Sequence, residues 1–146
     1  MVAVGAGGGR QAEALGSELF GFRAGNVVQE YYVDDDADPE IRAAIEAATG
    51  TALVDADFGD VVDGAVIWWR AEDGEGDDLA DLLVDAAGNL DNGGLVWVLT
   101  PKPGRSGHVR PSEVEEAART AGLHPTSAIS AGLSWSGIRL TARGRQ

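Results

Sequence analysis

Hydrophobic residues along this 146-residue chain follow two patterns that alternate from one segment to the next. Two uninterrupted apolar runs, residues 64–69 and 95–99, are typical of strands that are buried on both faces of a parallel sheet. Elsewhere apolar residues recur every three or four positions, which places them on one face of a helix. The pattern predicts three helices: one from Pro39 to Gly50, one over residues 77–90 and one from Pro111 to about Ala121.

Four further segments are predicted to be strands because they are short and rich in β-branched or aromatic residues. They are residues 27–33, 51–54, 126–130 and 138–142. Strands separated by helices become parallel neighbours with helices on both faces of the sheet. The last two strands are joined by a short glycine-containing turn and are predicted to be antiparallel. The fold class is therefore α/β, with a mostly parallel sheet and an antiparallel C-terminal strand pair. Residues 91–94 are predicted to form a loop.

Length and composition indicate one folded unit. Residues 1–14 are rich in Gly and Ala and are predicted to be a flexible tail, with residues 15–146 forming a single α/β domain. The chain has no Cys, which excludes disulfides and thiolate metal sites. No apolar run approaches the ~20 residues of a membrane-spanning helix, and the first residues lack the pattern of a secretory signal, so we expect a cytoplasmic protein that does not bind membranes.

Charge is distributed unevenly along the chain, whose formal net charge is −13. Residues 30–91 contain 19 acidic and two basic residues, whereas residues 92–146 contain seven basic and three acidic ones. Such acidity argues against non-specific binding to nucleic acids, because phosphates are repelled. It favours a protein partner with a basic surface. The residues predicted to form this partner-binding acidic face are Asp34, Asp35, Asp36, Asp73, Asp77 and Asp78.

The loop over residues 100–110 is the best candidate for a ligand site. It gathers cationic side chains between an apolar strand and a helix start, an arrangement that favours anions. The candidate ligand-binding residues are Lys102, Arg105, Ser106, His108 and Arg110, together with Trp135 from a later turn. The alternatives are an exposed basic loop without a ligand and a Trp135 that closes one end of the core. Because no nucleophile is paired with a base, no catalytic residue is predicted.

The loop over residues 34–38 has the opposite character. It follows the first predicted strand, where a nucleotide-binding protein needs glycines so that backbone N–H groups approach a phosphate. Here it contains four carboxylates and no glycine, and it would repel a pyrophosphate. The spacing does not match an EF-hand calcium loop, so no metal site is predicted.

Four segments resemble the bacterial domain-of-unknown-function 3052 family: LFGFRAG at residues 19–25, VDGAVIWWR at 62–70, GLVWVLTPK at 94–102 and WSGIRL at 135–140. The resemblance implies a Rossmann-like domain similar in layout to S-adenosylmethionine-dependent methyltransferases, and it implies no particular reaction. True methyltransferases have a glycine-rich turn after the first strand, which this chain lacks. Asp55 and Asp57, which follow the predicted strand at residues 51–54, are candidates for holding a ribose hydroxyl.

These observations lead to three functional hypotheses. The first is a non-catalytic regulatory or protein-interaction module on a methyltransferase-like scaffold, with no cofactor. The second is a protein or enzyme that binds a small molecule, with S-adenosylmethionine or a nucleotide as the first ligand to test. The third is a structural homodimer built on an exposed strand or on the tryptophans.

Overall fold

The computed structural model describes residue 16 and residues 18–142, so the tail predicted for residues 1–14 lies outside the described residues. Strands and helices alternate through most of the described chain. In order they are β1 (Val28–Tyr31), α1 (Pro39–Thr49), β2 (Val62–Trp68), α2 (Gly76–Gly88), β3 (Leu90–Pro101), α3 (Pro111–Thr120), β4 (Leu123–Ala131) and β5 (Trp135–Ala142). A single turn of 3-10 helix, Ala71–Asp73, precedes α2.

The five strands form one sheet in the order β1-β2-β3-β5-β4. β1, β2 and β3 run parallel, and β5 is antiparallel to both of its neighbours, β3 and β4. The predicted α/β class and the antiparallel C-terminal pair are confirmed, and the sheet is mixed rather than mostly parallel. The strand predicted at residues 51–54 is reduced to one bridge between Val54 and Gln29.

Both faces of the sheet are covered by helices, as predicted. The residues Ile41 and Ile45 of α1 pack with Phe20 and Phe22 on one face. The apolar sides of α2 and α3 pack on the other. Because neighbouring residues of a strand point to opposite faces, the adjacent Trp68 and Trp69 enter different cores.

Local chemistry fixes the start and the end of α1. Asp38 precedes the helix, and its Oδ1 accepts a hydrogen bond of 2.8 Å from the Glu40 N–H. Such a cap contributes about 1 kcal/mol. Pro39 occupies the first turn, and Gly50 ends the helix with a φ of 76°. Both boundaries agree with the sequence prediction.

The prediction of a loop at residues 91–94 is wrong, since these residues belong to β3. Leu90 lies opposite Val62 and Leu95 lies opposite Gly64, so the intervening residues form a bulge in the strand. Gly93 has a φ of 82°, which glycine adopts without strain. The sequence pattern of a turn therefore marks an irregularity within one long strand.

Candidate functional site

A cleft of about 500 Å³ opens at the carboxyl ends of β1, β2 and β3. Its walls come from the loop after β1, the segment after β2, the loop after β3 and the turn between β4 and β5. Ligands of open α/β sheets bind at this edge, outside the carboxyl ends of the strands. The lining residues are Asp35, Asp36, Ala37, Asp38, Pro39, Arg70, Glu72, Pro101, Arg105, Ser106, Ser134 and Trp135.

Arg70 is the central residue of this cleft and is 5% exposed. It lies two residues beyond β2, where the chain leaves the sheet. Its NH1 donates hydrogen bonds of 2.8 Å to the carbonyl oxygens of Tyr32 and Trp68. The guanidinium therefore joins the ends of β1 and β2 at the inner wall of the cleft.

Two carboxylates neutralise the Arg70 guanidinium. Asp36 accepts from Nε over 3.0 Å and from NH2, which makes the contact bidentate, and Asp73 accepts from NH1 over 3.3 Å. The hydrogen bond from Arg70 holds the pKa of Asp36 below its usual range, and the bond to Asp36 raises the pKa of Arg70. Two residues of the predicted acidic face are thus engaged in an internal ion pair.

Trp135 lines the cleft and is almost fully buried. It is 3% exposed and packs against Trp68, with ring centroids 4.9 Å apart and ring planes at 85°. The Arg70 guanidinium carbon lies 5.5 Å from the Trp135 ring centre, within cation–π range. This placement matches the alternative in which Trp135 closes one end of the core.

Tyr32 adopts a left-handed backbone conformation, with a φ of 64°, as no other non-glycine residue in the described part of the chain does. Residues other than glycine populate this region rarely, because the side chain crowds the backbone. The conformation accompanies a Tyr32 carbonyl that accepts from Arg70 and a ring packed 5.4 Å from that of Trp69. These contacts hold the strained residue immediately after β1, beside the cleft.

In the loop over residues 100–110, some of the candidate side chains hydrogen-bond to backbone carbonyls and others line the cleft. Lys102 Nζ donates to the Gly132 carbonyl over 3.0 Å, and His108 donates from Nδ1 to Pro101 O over 2.9 Å. Arg105 and Ser106 line the cleft. Arg110 is exposed at the start of α3, where it pairs with Glu113. Of the six candidates, Arg105, Ser106 and Trp135 share the cleft.

The remaining predicted residues lie in three other places. Asp55 and Asp57 are exposed after Val54, and Asp55 Oδ1 accepts from the Asp57 N–H, outside the cleft lining. Asp34 is exposed next to the cleft and accepts from the Asp35 N–H. Asp77 and Asp78 belong to the first turn of α2, where Asp78 accepts from the Glu75 N–H. The predicted acidic face is therefore split between the cleft loop and α2.

Sequence analysis missed Arg70 as a site residue. The sequence does contain a feature that points to it: Arg42 and Arg70 are the two basic residues among the 19 acidic ones between residues 30 and 91. Both form internal pairs: Arg42 makes a bidentate contact with the buried Glu30 at 2.7 and 2.8 Å. Arg70 directly follows the apolar run at residues 64–69, and a guanidinium that is buried there needs carboxylates to balance its charge.

In the part of the chain that the structure describes, no helix combines the length and apolar character needed to cross a membrane. Across the same residues, no three His, Asp or Glu side chains are arranged to hold a metal ion.

We expect the Asp36–Arg70 pair to give a pH-dependent contribution to stability. Because the pKa of Asp36 is lowered on folding, its ionised form stabilises the fold above the ordinary Asp pKa of about 3.9, and this contribution is lost as the pH falls through the folded-state pKa. In urea unfolding, Asp36→Asn should be less stable than the wild type near neutral pH, and the two should converge in acid.

The effect should be modest, because the Asp36 side chain is 52% exposed and solvent screens the pair. The exposed neighbour Asp35 gives the matched control, and Asp35→Asn should follow the wild-type curve at every pH. A gap between Asp36→Asn and the wild type that does not change with pH would contradict this role of Asp36.

Three solved structures show the class of fold. The chain superposes on the mitomycin 7-O-methyltransferase MmcR with a TM-score of 0.59 at 12% identity, over 82% of this chain and 50% of MmcR. The superposition on the pyocyanin biosynthetic protein PhzM has a TM-score of 0.63 at 14% identity, and it covers 85% of this chain and 52% of PhzM. The superposition on the magnesium protoporphyrin IX methyltransferase of Synechocystis PCC 6803 has a TM-score of 0.53 at 8% identity. It covers 82% of this chain and 71% of that methyltransferase.

These likenesses define a Rossmann-like, methyltransferase-type fold, and at such low identity they show the fold alone. The chain spans about half the length of MmcR and of PhzM.

The chain belongs to the family described as "Protein of unknown function (DUF3052)", whose model matches residues 17–144. An uncharacterized protein of Mycobacterium tuberculosis strain H37Rv is 50% identical over 120 residues, or 82% of this chain and 73% of the relative. The same values hold for an uncharacterized protein of Mycobacterium bovis.

Proposed function

We propose that the protein is a non-catalytic interaction module on a methyltransferase scaffold, and that its cleft takes a basic segment of a protein partner. The observation that carries the proposal is the buried Arg70 guanidinium. It lies at the carboxyl ends of β1 and β2, where open α/β sheets bind their ligands, and it is already bound by Asp36, Asp73 and two backbone carbonyls. This internal pairing leaves the Arg70 guanidinium little capacity to bind a cofactor, which supports a non-catalytic role.

The charge of the cleft supports a cationic occupant. Four carboxylates line it, from Asp35, Asp36, Asp38 and Glu72, against the two guanidinium groups of Arg70 and Arg105. An anionic cofactor that entered would meet this excess of negative charge. A lysine or arginine of a partner would instead gain from it, with an attraction that salt screens.

The proposal can be tested with a labelled peptide rich in Lys and Arg. We expect it to bind in fluorescence anisotropy, and we expect its affinity to fall as salt rises. Asp35→Asn combined with Glu72→Gln removes two cleft charges and should weaken binding about fivefold, or about 1 kcal/mol.

The matched control, Asp77→Asn with Asp81→Asn, removes two charges from the exposed side of α2. It should leave the peptide affinity close to that of the wild type. If both double variants weaken binding equally, the peptide responds only to the overall negative charge, and the cleft is not its site.

A second candidate function is the binding of a small molecule through an anionic group, such as the carboxylate of S-adenosylmethionine or the phosphates of ATP. It is favoured by Arg105, which lines the cleft and has no ion-pair partner among the described residues. S-adenosylmethionine or ATP at about 100 times its Kd would then stabilise the fold by about 2.7 kcal/mol, which is visible as a thermal shift. A shift that Arg105→Ala abolishes would replace the first proposal with this one.

A further inference from the structure

β4 is one of the two outer strands of the sheet, and its outer edge pairs with no other strand among the described residues. The outer edge of β1, at the other end, has a bridge to Val54. Natural edge strands are usually protected by charged side chains, prolines or bulges, because unpaired N–H and C=O groups invite another strand. In β4 the protection is confined to the first half, where Pro125 lies beside a bulge between Pro125 and Ser127. The second half, residues 127–131, has no such feature.

The residues of β4 carry no formal charge themselves, and the Arg139 guanidinium of β5 contacts the strand by donating from Nε to Thr126 Oγ1 over 2.8 Å. Residues 120–138 contain no Asp, Glu, Lys or Arg, which makes this the longest such run in the chain. It includes the whole of β4 and the turn to β5. Because each molecule carries a net charge of −13, two copies repel one another wherever acidic surfaces meet. The β4 edge is a place where two copies can approach with little local repulsion.

The side chains along the strand fit a close approach. The exposed residues Thr126, Ala128 and Ser130 alternate with half-buried ones, and all three are small. The turn after β4 carries Leu133, which is 81% exposed, more than any other large hydrophobic side chain described. An open edge beside an exposed apolar side chain is typical of a contact surface.

We propose that the occupant of this edge is a second copy of the chain, whose β4 pairs antiparallel with the first around a two-fold axis. A two-fold contact uses the same surface on both molecules, so a neutral strand meets a neutral strand. The five-stranded sheets of the two copies would then join into one. The contact lies beyond the cleft, and it does not depend on the function proposed for the cleft.

Sedimentation of the full chain over a range of concentrations tests the proposal. We expect a reversible equilibrium between a 15.1 kDa monomer and a dimer. Dimerisation should tighten when salt is raised to about 500 mM, because salt screens the repulsion between the two negative molecules. This direction is opposite to the one expected for the basic peptide, so the two proposals succeed or fail separately.

Substitution at Ala128 gives the specific test. Ala128→Lys places two lysines near the two-fold axis and should raise the dimer dissociation constant about tenfold or more. Ala128→Glu by itself should raise the dimer dissociation constant in the same way. A mixture of the Ala128→Lys and Ala128→Glu variants should associate again, because opposite charges then face each other across the two-fold axis. Ser130→Lys serves as a second edge variant if Ala128→Lys fails to fold.

Val84→Lys is the matched control, since Val84 is exposed on α2 and the change in charge is the same. It should dimerise like the wild type. A protein that remains monomeric at every concentration and salt overturns the proposal. So does a dimer that Val84→Lys weakens as much as Ala128→Lys.

Discussion

Replacing Arg70 with methionine is expected to lower the free energy of unfolding by about 3 kcal/mol. Methionine keeps much of the apolar stem but removes all of the guanidinium donors. The carbonyl oxygens of Tyr32 and Trp68 then lose the Arg70 NH1 as their donor, and Asp36 and Asp73 lose their counter-charge. Urea unfolding near neutral pH measures the loss.

Two further variants separate the contributions of charge and geometry. Arg70→Lys keeps the charge but cannot make the bidentate contact with Asp36, so we expect an intermediate loss. Arg119→Met removes an arginine whose pair with Glu115 is exposed and 3.9 Å long, and it should cost no more than about 0.5 kcal/mol. An Arg70→Met loss as small as that of Arg119→Met would show that Arg70 does not hold the two strand ends together.

The second large effect is expected at Gly64, where Gly64→Ala should destabilise the protein by about 2 kcal/mol. Gly64 is buried in β2 beneath the Phe22 ring. A Cβ there would lie 2.8 Å from Phe22 Cζ and closer still to Cε1. Because Phe22 is itself buried, the ring has to move within a packed core.

A double-mutant cycle shows whether the ring is the obstacle. Phe22→Leu makes room, so the double variant should lose less stability than the two single variants added together. Gly88→Ala is the control, because a Cβ at that position meets nothing within 4 Å, and it should be neutral or slightly stabilising. Strict additivity of Gly64→Ala and Phe22→Leu would contradict the steric explanation.

Local patterns along the chain predicted much of the fold. The two continuous apolar runs lie almost wholly in β2 and β3, as predicted. Helix α1 begins after Asp38 and ends at Gly50, also as predicted. These features depend on interactions among neighbours in sequence, which a sequence records directly. The segment at 51–54 was over-predicted, since only Val54 pairs with β1 and the adjoining residues make no ladder.

The candidate site was predicted less well, because its bonds join residues that are far apart in sequence. Asp36 and Arg70 are separated by 34 positions, and their pairing depends on β1 lying beside β2. Lys102 and His108 carry the residue types of an anion site, yet their hydrogen bonds go to backbone carbonyls. Residue type indicated the possible chemistry, and the fold determined which partner each side chain met.

By itself the sequence determined the α/β class, the start and the end of α1, the two-sided burial of the central strands and the acidity of the surface, since each follows from the spacing or the charge of nearby residues. The second helix ends at Gly88, two residues before its predicted end, because Leu90 begins β3. Only the tertiary structure decided the strand order, the bulge in β3 and the place of Arg70. Each of these depends on which distant segments lie side by side, and that is set by how the whole sheet packs.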